Sequence, residues 1–435
     1  MRFPEDKIKE AILRPEPEIR DRATSYFAKS YSNDVSIMPL VAKAVGTYGR
    51  PDAYRLISLS RDLPQSAESI AWIIDELNDD QSNRYENYTY NLSMVPAEAD
   101  PALLLPKEAS ILEARHFLPN LRPAFTERLR MLTWDEVTCW RRLEEFCEVA
   151  KDKQNANEVN LGHAKRIVEA LARHGERCEG RVHDILGQRE ADFTQGPNMW
   201  MGPLAVRLAG RAHLGSTVPL LITRLKEDID DLFNEECSEA LTRIGTPDVL
   251  HAIAKEYPGA GSHFRIFATG VLDNIHSDLA VATCLELLGQ EQDAGLRWSL
   301  GHSLLSHFPM EGIEAARRLL MGGELDFEGR GLRSYLLETC ILMGERFPEF
   351  DEWLATAKAE MEEHWKKVEE LKGDPRGLLL FALEKLTGKK VADVPKAKPS
   401  LPPLPPMSRL TRPRQPERKQ KVVRNGPCPC GSGKK

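Results

Sequence analysis

No uncharged apolar stretch in the 435 residues approaches the roughly 18 to 20 positions a bilayer-spanning helix needs, so no membrane crossing is expected. The opening MRFPEDKIKEAILRPEPE is interrupted by charge and proline before the about 7 to 15 apolar residues of a secretory signal accumulate. No export signal is visible, and the expected compartment is the cytoplasm. The sequons at Asn87 and Asn91 then carry no chemistry. Alternation of Val, Ile and Thr is scarce, whereas Leu, Ala and Glu dominate the middle of the chain, which favours helices over sheets. Six of the eight cysteines (Cys139, Cys147, Cys178, Cys237, Cys284, Cys340) stand singly within apolar helical patterns, as reduced, buried thiols do. Also missing are a His-Glu-x-x-His helix, a phosphate-cradling glycine loop and a nucleophile elbow. No enzyme is expected on these grounds.

Charge is present but unevenly placed. The formal total is -7, yet Lys389 to Lys435 holds 13 basic residues against Asp393 and Glu417, a local +11. The first 388 residues therefore carry -7 - 11 = -18. An acidic body joined to a basic, proline-rich extension predicts two different partners. A Debye length of about 8 Å at cellular salt keeps the field of the extension local. It either rests on its own body or touches an external polyanion such as ribosomal RNA.

The clearest internal pattern runs from about Asn198 to Phe347. The segments LAVRLAGRAHLGSTVPLLITRL, CSEALTRIGTPDVLHAIAKEY, ATGVLDNIHSDLAVATCLELL and LGHSLLSHFPMEGIEAARRLL align, with turns at Gly215, Gly245, His276 and His307 spaced by 30, 31 and 31. Each reads as a first helix with a stripe such as Leu204, Leu208 and Arg211 flanked by Ala205 and Ala212. Gly215 and Gly245 suit the left-handed position that ends a helix. Thr217 with Pro219, and Thr246 with Pro247, suit the start of the second. Neither helix of such a pair buries its face alone, so the pairs are expected to stack into a solenoid. The pattern resembles short, bacterial HEAT-like repeats, and GHAKRIVEALARHGERCEGRVHDILG extends it back to Gly162.

The fold class implied is all-α, an α-solenoid of HEAT-like hairpins with a Pro-rich basic tail. Residues 1–192 read as an amino-terminal helical region of degenerate repeats, with helices in EIRDRATSYFAK, SIMPLVAKAVGTYG, DAYRLISLSR and SAESIAWIIDEL. Residues 78–106 lack helical periodicity and predict a long surface loop. WDEVTCWRRLEEFCEVAKDK predicts a long helix with Trp134, Val137, Trp140 and Leu143 on one face. Residues 193–390 form the solenoid proper, closed by DEWLATAKAEMEEHWKKVEELK and GLLLFALEKLTG. Residues 391–424 are a basic linker unable to bury enough apolar surface to fold.

The last residues, 425–435, carry the one chemical signature, Cys428-Pro-Cys430-Gly-Ser-Gly-Lys434. Two thiolates at this spacing reach one ion, and a glycine turn lets backbone amides point at the sulfurs. The segment resembles the opening of the SEC-C motif, known from the carboxy terminus of the SecA translocase ATPase. That resemblance implies structural zinc on Cys428 and Cys430, completed by a third Cys and a Cys or His further on. A zinc site wants four ligands, and the sequence ends at Lys435 with two. The sequence is truncated, the motif has decayed, or two chains share a metal. Zinc is the cofactor only if the site is completed.

Relatives of the motif recruit chaperones, translocase or the ribosome without catalysis. The expected function is thus a non-catalytic adaptor that holds a protein partner on the concave face and is recruited through its tail. The competing reading makes ribosome or nucleic-acid association through the basic tail primary. HEAT-like repeats also occur in phycobilin lyases, which keeps a lyase-type reading below these. Of the eleven histidines, His213, His263, His276, His302 and His307 fall near repeat turns and suit one edge of the stack. His163, His174 and His183 match no standard ligand spacing. Arg297, Trp298 and His302 are the best candidate trio for the concave surface, with core packing of Trp298 as the plainer alternative.

Overall fold

The computed structural model describes residues 2–323, 327–373, 377 and 381. Residues Met1–Gly388 and Lys389–Lys435 form two separate units, and every described residue belongs to the first. Cys428, Cys430 and the basic linker lie outside the described residues, as does most of the apolar segment after Gly377. Among the described residues the fold is all-α, with only an isolated antiparallel bridge between Arg2 and Pro309. Among the described residues no helix is long and apolar enough to cross a membrane.

Six first helices, Leu161–Ala172, Asn198–Arg211, Asp231–Ile244, Ser262–Asn274, Ala294–Ser306 and Phe327–Met343, pack each against the next in one row. The second helices Glu179–Leu186, Val218–Glu227, Pro247–Glu256 and Asp278–Gln290 form a parallel row behind them. The two rows make a solenoid of hairpins. One continuous apolar core runs from Met131 to Leu304 between them. Close approach within the row has a sequence cause: a Cβ on Gly210 would lie 2.5 Å from the Ala240 Cα, so only glycine lets these two backbones meet.

The helix ends correct several expectations. Gly245 does adopt the left-handed conformation, at φ 60°, but Gly215 does not, because His213 takes that position at φ 52°. Leu214 N–H then reaches back to the Ala209 carbonyl at 2.9 Å, and Gly215 opens a short 3-10 turn. Thr217 and Thr246 cap nothing with their side chains. The Thr217 hydroxyl donates to the Leu214 carbonyl instead. Capping falls to Asp230, Ser277 and Asp293, whose side chains accept amides of the first turn.

The stretch 78–106 is not a loop. It holds a 3-10 turn at Ser82–Arg84 and helices Glu86–Glu98 and Pro101–Leu104. Tyr88, Leu92 and Val95 form a fully buried stripe, and Arg128 donates to the carbonyls of Ala97 and Glu98 where the helix ends after Pro96. The helix Glu136–Ala150 exists, but its buried face is Cys139, Trp140, Leu143, Cys147 and Ala150. Val137 points outward, 75 % exposed. The six described cysteines are free and buried.

The amino-terminal helices have a separate core that takes in Phe308 and Leu342 from the far end of the chain. They touch the solenoid at both ends. Near its start, Arg128 pairs with Glu169 and Arg166 with Glu127. Near its finish, Pro17–Lys29 packs against Phe327–Met343, and Arg14 donates to the Ile341 carbonyl at 2.6 Å. The chain closes on itself, so the first-helix row is in part covered by its own amino-terminal region.

Candidate functional site

Polar side chains on the first-helix row are paired along the row, within a helix and across repeats. Lys165 meets Glu236 at 2.9 Å, Arg207 meets Glu236 at 3.0 Å and Glu239 at 3.3 Å, and Arg243 meets Glu239 at 2.8 Å. Burial alone would raise the Glu239 carboxyl, but Arg207 and Arg243 outweigh it and hold the group below the usual carboxylate range. A charged ladder therefore crosses three repeats, its members fixed by one another.

This ladder ends at a cleft of about 670 Å³. One wall is Tyr31 to Asn33, Arg61 to Gln65 and Glu98 to Pro101; the other is the carboxy-terminal ends of three first helices, carrying Glu169, Arg173, Arg211, His213 and Arg243. Two wall residues without glycine's freedom are left-handed, Tyr31 at φ 49° and His213 at φ 52°. Both end a helix in the same way, Ser32 N–H returning to the Phe27 carbonyl at 3.1 Å as Leu214 does to Ala209. The bend at Tyr31 lays its ring 3.7 Å from the Arg243 guanidinium carbon.

Most charges of the cleft have partners. Glu169 is held in a two-point pair with Arg128, Asp100 caps the helix Pro101–Leu104 and lies 3.8 Å from Arg173, and Asp62 lies 3.6 Å from Arg61. Burial raises the Asp62 carboxyl above its usual range. Arg211 has neither a hydrogen bond nor an ion pair, and its Nε is buried without an acceptor. Burial, then the like charges of Arg243 and Arg207, push its pKa down; Glu169 and Glu239 attract it only from beyond pairing distance.

A second polar cluster lies where the amino-terminal helices meet the last repeats. Arg22 is buried, donating to the Leu305 carbonyl at 3.0 Å and the Thr339 hydroxyl at 2.7 Å, with its guanidinium 3.2 Å from the Tyr335 ring centre. The Tyr26 ring stacks on His276 at 3.9 Å, and His276 meets His307 edge-on at 5.1 Å. Burial forces both imidazoles toward the neutral form, His307 down to about 4. Asp273 accepts from the Ser306 hydroxyl at 2.5 Å and lies 3.6 Å from His302 Nδ1 and 3.8 Å from Lys29. Burial would raise this carboxyl; His302, Lys29 and Ser306 together hold it below its usual range. The serine proton goes to a carboxylate, whereas a nucleophilic serine hands it to an imidazole.

The residues singled out from the sequence do not converge on one place. Trp298 and His302 line one groove of about 400 Å³ with Ile266 and Gly270, while Arg297 is exposed away from it. The histidines do not share an edge: His213 is on the cleft, His263 pairs with Asp228 on the surface, and the half-buried His276 and buried His307 lie in the seam. Among the described residues no group of three His, Cys, Asp or Glu could hold a metal ion, and Cys428 and Cys430 fall outside them. Arg211 was legible only as one more position on the stripe of Leu204 and Leu208; a charge on an apolar stripe was the signal. No protein-family model matches the chain, and no curated protein does either.

Proposed function

We propose that this chain is a non-catalytic helical-repeat adaptor of the HEAT-like kind, holding a protein partner on the open part of its first-helix row. Its SEC-C-type tail, with zinc on Cys428 and Cys430 where the site is completed, would recruit the complex to a chaperone, translocase or ribosome. The observation that carries the reading is the unbroken row of six packed first helices. Such a row offers one rigid face built from many repeats, and partners of solenoids dock on that kind of face.

Beyond the covered section this face keeps a groove between Ser262–Asn274, Ala294–Ser306 and Phe327–Met343, floored by Gly270, Gly295 and Gly331 and edged by Trp298 and the 54 % exposed Ile266. An apolar anchor beside an aromatic, ringed by polar groups, is the usual make-up of an interface hot spot. Ile266→Glu adds a charge at the rim without touching the core. The adaptor reading expects crosslinking capture from cells to lose its protein partner with Ile266→Glu and to keep it when residues 391–435 are removed. Capture unchanged by Ile266→Glu would overturn it.

The +11 of residues 389–435 favours the second reading, in which the tail binds ribosomal RNA directly. Cosedimentation with ribosomes should then fall steeply with salt and vanish on removal of 391–435. If that removal leaves cosedimentation unchanged, the tail reading fails.

A further inference from the structure

Along the first-helix row, arginines that leave water have carboxylates. Arg207 pairs with Glu236, Arg265 with Glu291 at 2.8 Å, and Arg333 with Glu360. Arg211 departs from this pattern although it is half-buried and stands between two further arginines. A guanidinium stays charged under all working conditions and offers five N–H donors in a planar fork. Leaving it without an acceptor in a partly dry wall is unfavourable, and the fold supplies none from its own side chains.

We infer that the cleft binds an oxyanion, the phosphate or carboxylate group of a small molecule, through Arg211 with Arg243 as the second donor. Arg243 is built for that role. Its bond to Glu239 uses Nε alone, and the Tyr31 ring holds the plane of the guanidinium in place. The cleft volume of about 670 Å³ falls within the usual range of small-molecule sites. Formal charges on the walls balance, four arginines against Asp62, Glu98, Asp100 and Glu169, but the balance is uneven in space. Glu169 is taken by Arg128, Asp100 by Arg173 and the helix cap, and Asp62 by Arg61, so the uncompensated positive charge is concentrated on Arg211. Glu98 carries no such pair, and it gives the ligand a place for a hydrogen-bond donor opposite its anionic end. This site stands independently of the adaptor reading.

The test is calorimetric titration of the full chain with sodium phosphate and, separately, sodium citrate, against sodium chloride at matched ionic strength. Saturable binding of at least one oxyanion is expected, weakened tenfold or more by Arg211→Met and unchanged by Arg318→Met, an exposed arginine on the helix Met310–Gly322 outside the cleft. Binding of phosphate alone identifies a phosphate ligand, binding of citrate alone a carboxylate, and binding of both the shared charge. Equal binding by wild type and Arg211→Met, or no saturable binding of either anion, overturns the site. Thermal unfolding in anion-poor buffer gives a second readout. Arg211→Met should melt no lower than wild type, since it removes a like-charge contact. A lower melting temperature with unchanged anion binding would make Arg211 a structural residue only and overturn the inference as well.

Discussion

The closing seam and the cleft both lie where amino-terminal elements meet the first-helix row, the seam at its last three helices and the cleft at its first three, yet they treat arginine differently. At the seam, Nη2 of Arg22 has two oxygen acceptors, the guanidinium an aromatic face and Nη1 the Glu338 carboxylate at 3.9 Å, although Nε and Nη1 make no hydrogen bond. At the cleft, Arg211, on the same first-helix row, has none. The first arrangement trades desolvation for hydrogen bonds and so fastens the amino-terminal helices to the last repeats. The second leaves the desolvation cost standing, as a protein does where something else is meant to bind. The same residue type thus marks structure in one place and recognition in the other.

The largest effect that would break this contrast is expected at the seam. Arg22→Met keeps the stem but removes the bonds to Leu305 and Thr339 and the stacking on Tyr335. Hydrogen bonds from a charged donor contribute about 1.5 to 3 kcal/mol each and the stacking about 1 kcal/mol, so after relaxation a loss of about 3 kcal/mol is expected. Urea unfolding reads it directly. A loss below about 1 kcal/mol would mean that the seam is not what holds the two ends together.

A smaller effect is set by pH. His307 faces Asp273, Arg2 and the Leu272 carbonyl, which accepts at 2.8 Å, while His276 faces Tyr26 and His307. His307 has a folded pKa of about 4, below its ordinary 6.5. The unfolded chain therefore binds more protons between these values, and stability rises with pH across that window. The contribution is complete above about pH 6.5 and is lost as pH falls toward 4, about 2 kcal/mol of it by pH 4.5. Carboxylates held low, such as Asp273, add their loss only at more acid pH. His307→Gln should flatten the limb between pH 6.5 and 4.5 while leaving the more acid limb in place, as seen in melting temperature across buffers. An unchanged profile would move the acid response elsewhere.

Much of the solenoid was legible because apolar stripes repeat at helical spacing, and the expected helices at Glu18 to Lys29, Ser36 to Gly49 and Ser66 to Leu77 match Pro17–Lys29, Ile37–Tyr48 and Ala67–Asn78 closely. The helix Glu86–Glu98 was hidden because Tyr88, Leu92 and Val95 are diluted by Asn, Ser and Thr and followed by Pro96. The face of Glu136–Ala150 was misread by one helical step, since Val137 and Cys139 are equally apolar and only the neighbouring helix decides between them. Closure was invisible for a different reason. Arg14 and Ile341 are 327 positions apart, and no local pattern announces such a contact. The cleft inherits that difficulty, because its two walls come from opposite sides of the closure.

The finest test uses the backbone that both regions share. His213 and Phe308 each end a first-helix segment in the left-handed conformation, at φ 52° in both cases. At the seam that conformation is held by the Phe308 ring, fully buried among the amino-terminal helices. At the cleft the His213 side chain is exposed on the wall. A non-glycine residue in this region costs about 1 to 2 kcal/mol, and glycine gives back about 0.5 to 1 kcal/mol through the freer unfolded chain. His213→Gly should therefore stabilise the protein by about 0.5 kcal/mol, read as a small rise in melting temperature. Because the left-handed turn persists in the variant, oxyanion binding through Arg211 should be unaffected. A destabilised His213→Gly would show instead that the imidazole is held in the cleft wall, and would shift the recognition surface toward it.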